Sequence, residues 1–176
     1  DAGGGGSTVF NAGTISGGVS VFDPRSERFF QYRHQQNDSG LAHDRVESIA
    51  EDRAGLIWLA TDDGLDRLDP ASGAITHFRH DALDSSTLAS NQVRSVLADR
   101  EGRLWVGGQD GLQLWQDGRW LRVASEPGAP GSLAGQHITR LMQDAQGRIW
   151  IGTHKHGAAM LDPARLTGVI VDPMQS

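Results

Sequence analysis

The chain has no cysteine and a single tyrosine among 176 residues. Without thiols there can be no disulfide, no thiolate metal site and no cysteine nucleophile. No apolar run approaches the roughly 18 residues of a membrane span. Basic residues are neither abundant nor clustered. The formal charge is −6, from 16 basic and 22 acidic residues, with no Lys/Arg run. Nucleic acid is therefore not an expected partner, because neutralising phosphates takes grouped cations. Catalytic signatures are missing as well. There is no Gly-x-Ser-x-Gly, no His-Glu-x-x-His, no phosphate loop and no Gly-x-Gly-x-x-Gly entering a helix. The expectation is a non-enzymic chain with no cofactor and no membrane contact of its own. It begins Asp1-Ala2 and four glycines, without a signal peptide. A leader already removed and a piece of a longer protein both fit that start.

What is present is one phrase, three times over. It reads Asp52-Arg53-Ala54-Gly55-Leu56-Ile57-Trp58, then Asp99-Arg100-Glu101-Gly102-Arg103-Leu104-Trp105, then Asp144-Ala145-Gln146-Gly147-Arg148-Ile149-Trp150. Trp58 and Trp105 are 47 residues apart, and Trp105 and Trp150 are 45. A period in the mid-forties with a turn and a Trp at fixed places marks a blade-type β repeat, too small to bury a core alone. Ahead of each phrase runs a strand-like segment, starting at Val46, Val93 and Ile138. Its apolar residues lie three apart, which predicts a strand buried on both sides near a crowded axis. Leu41, Leu88 and Leu133 each precede that strand by five residues. The Asp caps a turn and the Gly supplies a positive φ. Ile57, Leu104 and Ile149 then open second strands, turns at Gly64, Gly111 and Gly157 lead into third strands, and fourth strands follow near Ile75, Trp120 and Val169–Val171.

The N-terminal stretch Gly13 to Pro24 aligns without a gap on Gly152 to Pro163, with Asn11 in the Trp position. The first unit thus lacks its innermost strand. The prediction is an all-β chain: a β-propeller segment over 1–176 of about four blades of four antiparallel strands, a partial blade at 8–34 and blades at 41–80, 88–123 and 133–171. An exposed inner edge should attract further strands, so further blades of the same protein or a second copy of the chain are expected partners.

The long phrase from Val46 to Asp69, Val-x-x-Ile-x-x-Asp-x-x-Gly-x-Ile-Trp-x-x-Thr-x-x-Gly-Leu-x-x-Leu-Asp, resembles the two-component regulator propeller repeat, and the resemblance covers essentially the whole chain. It implies a sensor domain in the bacterial periplasm, placed ahead of a transmembrane helix and an output module such as a histidine kinase or diguanylate cyclase, and often responsive to saccharides. The Asp-box of sialidase-like propellers shares the Asp, Gly and Trp but not the preceding Ser. Its chemistry needs an arginine cluster and a Tyr nucleophile, whereas Tyr32 lies in an outer strand.

Because the Trp, Asp and Gly triplets recur in every unit, they read as packing and turn residues. Trp115 and Trp120 read as packing or surface, and His34, His77 and His80 as surface. In a propeller, the turns between second and third strands share one face with the links to the next blade, and long loops on a rigid scaffold are where binding residues gather. Here the links are Gln35 to Arg45, Asp81 to Gln92 and Ala124 to His137. The candidate ligand-binding residues on that face are Asp62, Asp63, Gln109, Asp110, His154, Lys155 and His156, with Asn91, Gln92 and His137 at the axis. Carboxylates, amides and imidazoles suit a small polar ligand such as a saccharide. His154 and His156 stand two apart, so both could meet one divalent ion or a ligand, or belong to a plain solvated turn. No metal site is predicted.

Overall fold

The computed structural model describes residues 12–13, 17–23, 26–36, 39–123, 133, 136–165 and 170–171. Expectations that concern residues 8–11, 124–132 and Val169 lie outside these. Among the described residues, fifteen strands form four antiparallel sheets. The first sheet holds β1 (Ala12–Gly13), β2 (Val19–Asp23) and β3 (Arg28–Tyr32). The second runs in order β4 (Val46–Glu51), β5 (Ile57–Thr61), β6 (Gly64–Leu68) and β7 (Ile75–Phe78). The third continues with β8 (Val93–Ala98), β9 (Leu104–Gly108), β10 (Gly111–Gln116) and β11 (Arg119–Val123). The fourth has β12 (Ile138–Gln143), β13 (Ile149–Thr153) and β14 (Ala158–Leu161), followed by a short 3-10 turn, Pro163–Arg165. Each sheet is a meander of neighbouring strands, as in a propeller blade. The segment expected to complete the fourth blade does otherwise. β15 (Ile170–Val171) pairs with β11, Arg122 against Val171, and so extends the third sheet as a fifth strand.

The innermost strands meet the expectation of burial on both sides only in the third blade, where Ser95 and Val96 of β8 are both buried; β4 is buried only at Val46 and β12 only at Ile138 and Leu141. The three-residue apolar spacing comes from a β-bulge. Val46 faces Thr61 and Ser48 faces Ala60, leaving Glu47 as an extra residue, and Arg94 and Thr139 are extra in β8 and β12. The added residue returns Ile49 to the face of Val46, where both join one core cluster.

That core lies between sheets rather than within them. Val19 of the first sheet packs with Val46, Ile57, Leu59 and Leu68 of the second. Trp58 and Leu65 of the second pack with Val93, Val96, Leu104 and Trp120 of the third, and Trp105, Leu112 and Leu114 of the third with Ile138, Leu141 and Ile149 of the fourth. Leu41, Leu88 and Leu133, all buried, fill the seams from the links. Gly107 is required by one seam, since a Cβ there would stand 2.4 Å from Cγ2 of Ile138.

The recurring Asp does two jobs. One oxygen of Asp52, Asp99 or Asp144 accepts backbone N–H bonds two and four residues on, closing a turn whose Gly55, Gly102 or Gly147 has φ of 81–85°. The other accepts the indole N–H of the Trp six residues on, at 2.7 Å for Trp58, 2.9 Å for Trp105 and 2.8 Å for Trp150. Arg103 and Arg148 also bind that second oxygen and lie over their Trp rings, at 5.8 Å from the centroids. In the second blade, where Leu56 replaces the Arg, Arg67 covers Trp58 instead.

The histidines of the outer strands also act as ties: His34 and His80 remain exposed, as expected, and His77 is half-buried. His77 Nδ1 pairs at 2.7 Å with the buried Asp66, whose other oxygen accepts the Ala42 N–H at 2.8 Å. Burial pushes the Asp66 carboxyl up from its ordinary value, and these bonds pull the other way. Gln113, 47 residues on, accepts the Ala89 N–H in the same way. The His34 and His80 rings bond the Leu41 and Leu88 carbonyls. The second and third blades thus each hold the link that precedes them.

Two predictions follow from the Asp clamp. Asp99→Ala leaves two turn N–H groups and an indole N–H without their acceptor, a loss of about 2–4 kcal/mol measurable by urea denaturation. Burial opposes the charged form of Asp99, but bonds from Trp105 and Arg103 outweigh it and hold its pKa below the usual value. The Trp150 bond chiefly lowers Asp144, to about 2. For carboxylates depressed in the folded state, the stabilisation is complete above their unfolded value of 3.8 and disappears as pH falls through the folded one. Stability should therefore decline with acidity from about pH 4, and Asp144→Asn should shallow that decline.

Candidate functional site

All ten expected ligand residues stand at one end of the sheets, where second-to-third-strand turns meet the links, but in four separate settings. The first is at the second blade. Gly64 begins β6 at φ 109° because Phe78 O lies where a Cβ would be, 2.4 Å away. Its N–H donates to Asn91 O at 2.7 Å, across to the link of the third blade. Asn91 Oδ1 accepts the His80 N–H at 2.7 Å and its amide faces Asp63 at 3.4 Å. Asp63 also meets Arg79 at 3.3 Å. The same tie appears one repeat earlier: Gly18 N–H donates to Asp44 O, and Asp44 Oδ1 accepts from His34 N. Asn91 and Asp63 are therefore fastenings between blades, their polar atoms already engaged.

Asp62 belongs to a charged cluster that composition and spacing did not single out. The bulge residues Glu47 and Arg94 come from adjacent inner strands. Arg94 meets Glu47 at 2.6 Å and Asp62 at 2.7 Å, while Arg45 meets the same two carboxylates at 2.7 and 3.5 Å. Two guanidinium groups thus balance two carboxylates at the axial rim. A signal existed in the sequence: Glu47 and Arg94 hold the same position in successive repeats with opposite charge, 47 residues apart. Its meaning depends on the bulge, which aims both side chains at the rim.

In the third blade, Gln92 O accepts the Gln109 N–H at 3.2 Å. Gln92, Gln109 and Asp110 are exposed around a crevice with room for no more than about one water.

The fourth blade differs. His137, at the end of its link, and His154, at the end of β13, stack with ring centroids 5.3 Å apart and planes 16° apart. The His154 N–H donates to His137 O at 2.9 Å, which sets the two rings side by side. With Gln136, Lys155 and His156 they line a cleft of about 360 Å³. Lys155 is the single lysine of the chain. The turn here, one residue longer than in the other blades, is closed by Thr153 Oγ1, which accepts the His156 N–H and donates to Gly157 O. Desolvation first, then the nearby His154 and Arg94, hold His137 below the ordinary imidazole pKa, against a smaller opposite pull from Asp110. A neutral imidazole can donate from one nitrogen and accept at the other. The structure thus brings together four of the ten expected residues, His137, His154, Lys155 and His156, and adds Gln136. Among the described residues no three His, Asp or Glu side chains are grouped closely enough to hold a metal ion.

A test of this geometry is the titration of His137, followed through its ring C–H signal by NMR. Its midpoint should lie below that of a free imidazole, and His154→Ala should raise it, because a cationic neighbour disfavouring the charged form is gone.

Three segments of the chain, 40–63, 87–110 and 132–155, match the family model described as "Two component regulator propeller". No curated protein resembles the chain closely enough to count as a relative. Among solved structures, the fold is shared with the extracellular domain of a B. thetaiotaomicron protein assigned as a hybrid two component system. Identity is 24% and the TM-score 0.70, over 93% of this chain and 21% of that one. A protein of unknown function from Bacteroides thetaiotaomicron aligns at 13% identity and TM-score 0.57, over 85% of this chain and 43% of that one. Virginiamycin B lyase from Staphylococcus aureus aligns at 11% and 0.52, over 84% and 49%. At these identities the shared property is the propeller fold, and this chain spans about a fifth of the length of the first of these structures.

Proposed function

From a chain that carries two component regulator propeller repeats, we propose that this segment belongs to the periplasmic, ligand-sensing part of a bacterial signal-transduction protein. The ligand is a small polar molecule, a carbohydrate by the chemistry of the site, and it binds in the His137–His154 cleft of the fourth blade. The cleft is the observation that carries this reading. It joins two stacked imidazoles, that of His137 partly desolvated, to an amide and an ammonium in a space the size of a monosaccharide or larger. The name of the repeat family, and a fold shared with an extracellular domain of a protein assigned as a hybrid two component system, agree with a signalling role outside the cytoplasm.

The segment acts by binding, not by catalysis. Among the described residues the cleft is lined by imidazole, amide and ammonium groups, which suit hydrogen bonding to a polar ligand. Lyases share the fold, but fold does not carry chemistry with it.

The experiment is a thermal-shift screen of the chain against neutral and acidic sugars and polyols. A true ligand at 100 times its Kd stabilises by about 2.7 kcal/mol, and His137→Ala or Lys155→Ala should abolish that shift while leaving the unliganded melting temperature within about a few degrees of the parent, since Lys155 is exposed and His137 half-buried. A sugar whose stabilisation survives both substitutions would place the site elsewhere. A chain that responds to none of the panel would favour an assembly module without a small ligand, a reading to which the exposed aromatic residues of its outer sheets lend support.

A further inference from the structure

The seam between the second and third blades lies inside the array, and both of its sheets carry all four of their own strands. Along this seam the third blade departs from the second. Where the second pairs Leu68 with Ile75 across β6 and β7, the third pairs Trp115 with Trp120 across β10 and β11. The two indoles lie 4.7 Å apart between ring centroids. Phe78 of β7 stands 5.2 Å from Trp115 and 6.0 Å from Trp120. Aromatic rings from two blades thus meet at one place.

These three residues line a cleft of about 310 Å³ that also has polar walls. Arg79, at the end of β7, and Asp84 and Ser86, in the link, supply them. The volume is at the lower end of the roughly 300–1,000 Å³ typical of small-molecule sites. The link is fastened in place. Trp120 N–H donates to Ser86 O at 2.8 Å, the Thr87 hydroxyl to Asp84 O at 2.8 Å and the Gln113 amide to Thr87 O at 3.3 Å. One polar group is left over. Trp120 is 2% exposed, and among the described residues its indole N–H has no hydrogen-bond partner. The three clamp tryptophans all donate theirs to an aspartate. A buried donor without an acceptor costs about 1–3 kcal/mol, a cost that an aliphatic residue such as Ile75 does not incur.

The chemistry of the cleft selects among ligands. The indole N–H and the Arg79 guanidinium, whose Nε meets Asp63 at 3.3 Å, call for acceptors and disfavour a cation. Asp84 calls for donors and disfavours an anion. Its carboxyl is held below the ordinary value by the bonds from the Ser86 hydroxyl and N–H, so it stays an acceptor at neutral pH. A hydroxyl both donates and accepts, and the C–H face of a pyranose ring is apolar enough to lie on an indole. We propose that this cleft is a second binding site, for one ring of a neutral saccharide: a ring face lies on the half-buried Trp115, one hydroxyl oxygen accepts the Trp120 indole N–H, and another hydroxyl donates to Asp84. The site is separate from the His137–His154 cleft and does not rest on it, being built by different residues on a different seam.

The test titrates the whole nitrogen-labelled chain with the methyl glycosides of glucose, galactose and mannose, and follows the indole N–H signals by NMR. Trp120→Phe identifies the Trp120 signal by its loss. With at least one glycoside that signal should move downfield and saturate, as the N–H gains an acceptor. Trp115→Leu, which places the residue of the second blade in the third, should weaken binding about tenfold or more. Asp84→Asn keeps an acceptor for Ser86 but removes the charge, and should weaken binding about tenfold. Circular dichroism melts check both folds, and Asp84→Asn, at an exposed link position, carries the test if Trp115→Leu fails to fold. His137→Ala should leave the titration unchanged, which reads this site apart from the other cleft. A Trp120 signal that no glycoside moves overturns the proposal. So does a response that Asp84→Asn and Trp115→Leu leave intact, or one that His137→Ala abolishes. Movement with tetramethylammonium and none with the glycosides overturns it in favour of an aromatic cage for cations.

Discussion

The aspartate–tryptophan clamp is the interaction on which the rest depends. A single carboxylate closes the turn between the first two strands of a blade and holds the indole N–H, so turn shape and Trp orientation are set by one side chain. Trp58 and Trp105 are then buried against the next sheet, where their apolar area excludes water from the seam. Because each seam takes one face from each of two sheets, no blade has a core of its own. Stability in such an array comes from neighbours, as in other repeat proteins. It also explains why Trp58 and Trp105, identical in local geometry to Trp150, differ from it so much in exposure: the clamp is local, but burial requires the sheet beyond.

The bulges in the inner strands connect this architecture to the polar end of the molecule. One extra residue in β4 and β8 keeps the core-facing residues in phase and turns Glu47 and Arg94 out toward the rim, where they meet Asp62 and Arg45. The same end is fastened by links held through Asp66, Gln113, His34 and His80. The fourth blade departs from the pattern at the corresponding places, with Ala159 where Asp66 and Gln113 stand and a longer turn after β13. Where the repeat relaxes, side chains are released from holding the scaffold, and it is there that His137, His154, Lys155 and His156 come together.

The fold was legible in the chain because its determinants are local and repeated. The Asp, Gly and Trp of each phrase lie within seven residues, and three copies in register leave little room for another reading. The site was only half legible. The end of the sheets where turns and links meet was legible, since they meet there in any propeller, but the residues named at that end were not equivalent. Asp63 and Asn91 looked as available as His137 and are instead tied to Arg79, His80 and Gly64. Arg45, Glu47 and Arg94 went unnoticed because an i, i+3 pattern in a strand reads as crowding until the pairing shows a bulge. The last strand was assigned to its own blade by alignment, yet two short residues are placed by whichever edge is open to them, and β11 offered one.

By itself, then, the order of residues determined the turn chemistry, the period, the number of units and the face on which polar loops collect, all of which follow from interactions spanning a few positions. Tertiary structure alone decided which polar groups are used up in holding blades together, which gather at the fourth-blade cleft, and which tryptophan is partly exposed. Those outcomes depend on distances between residues about 45 apart, and no local rule of backbone or side chain specifies them.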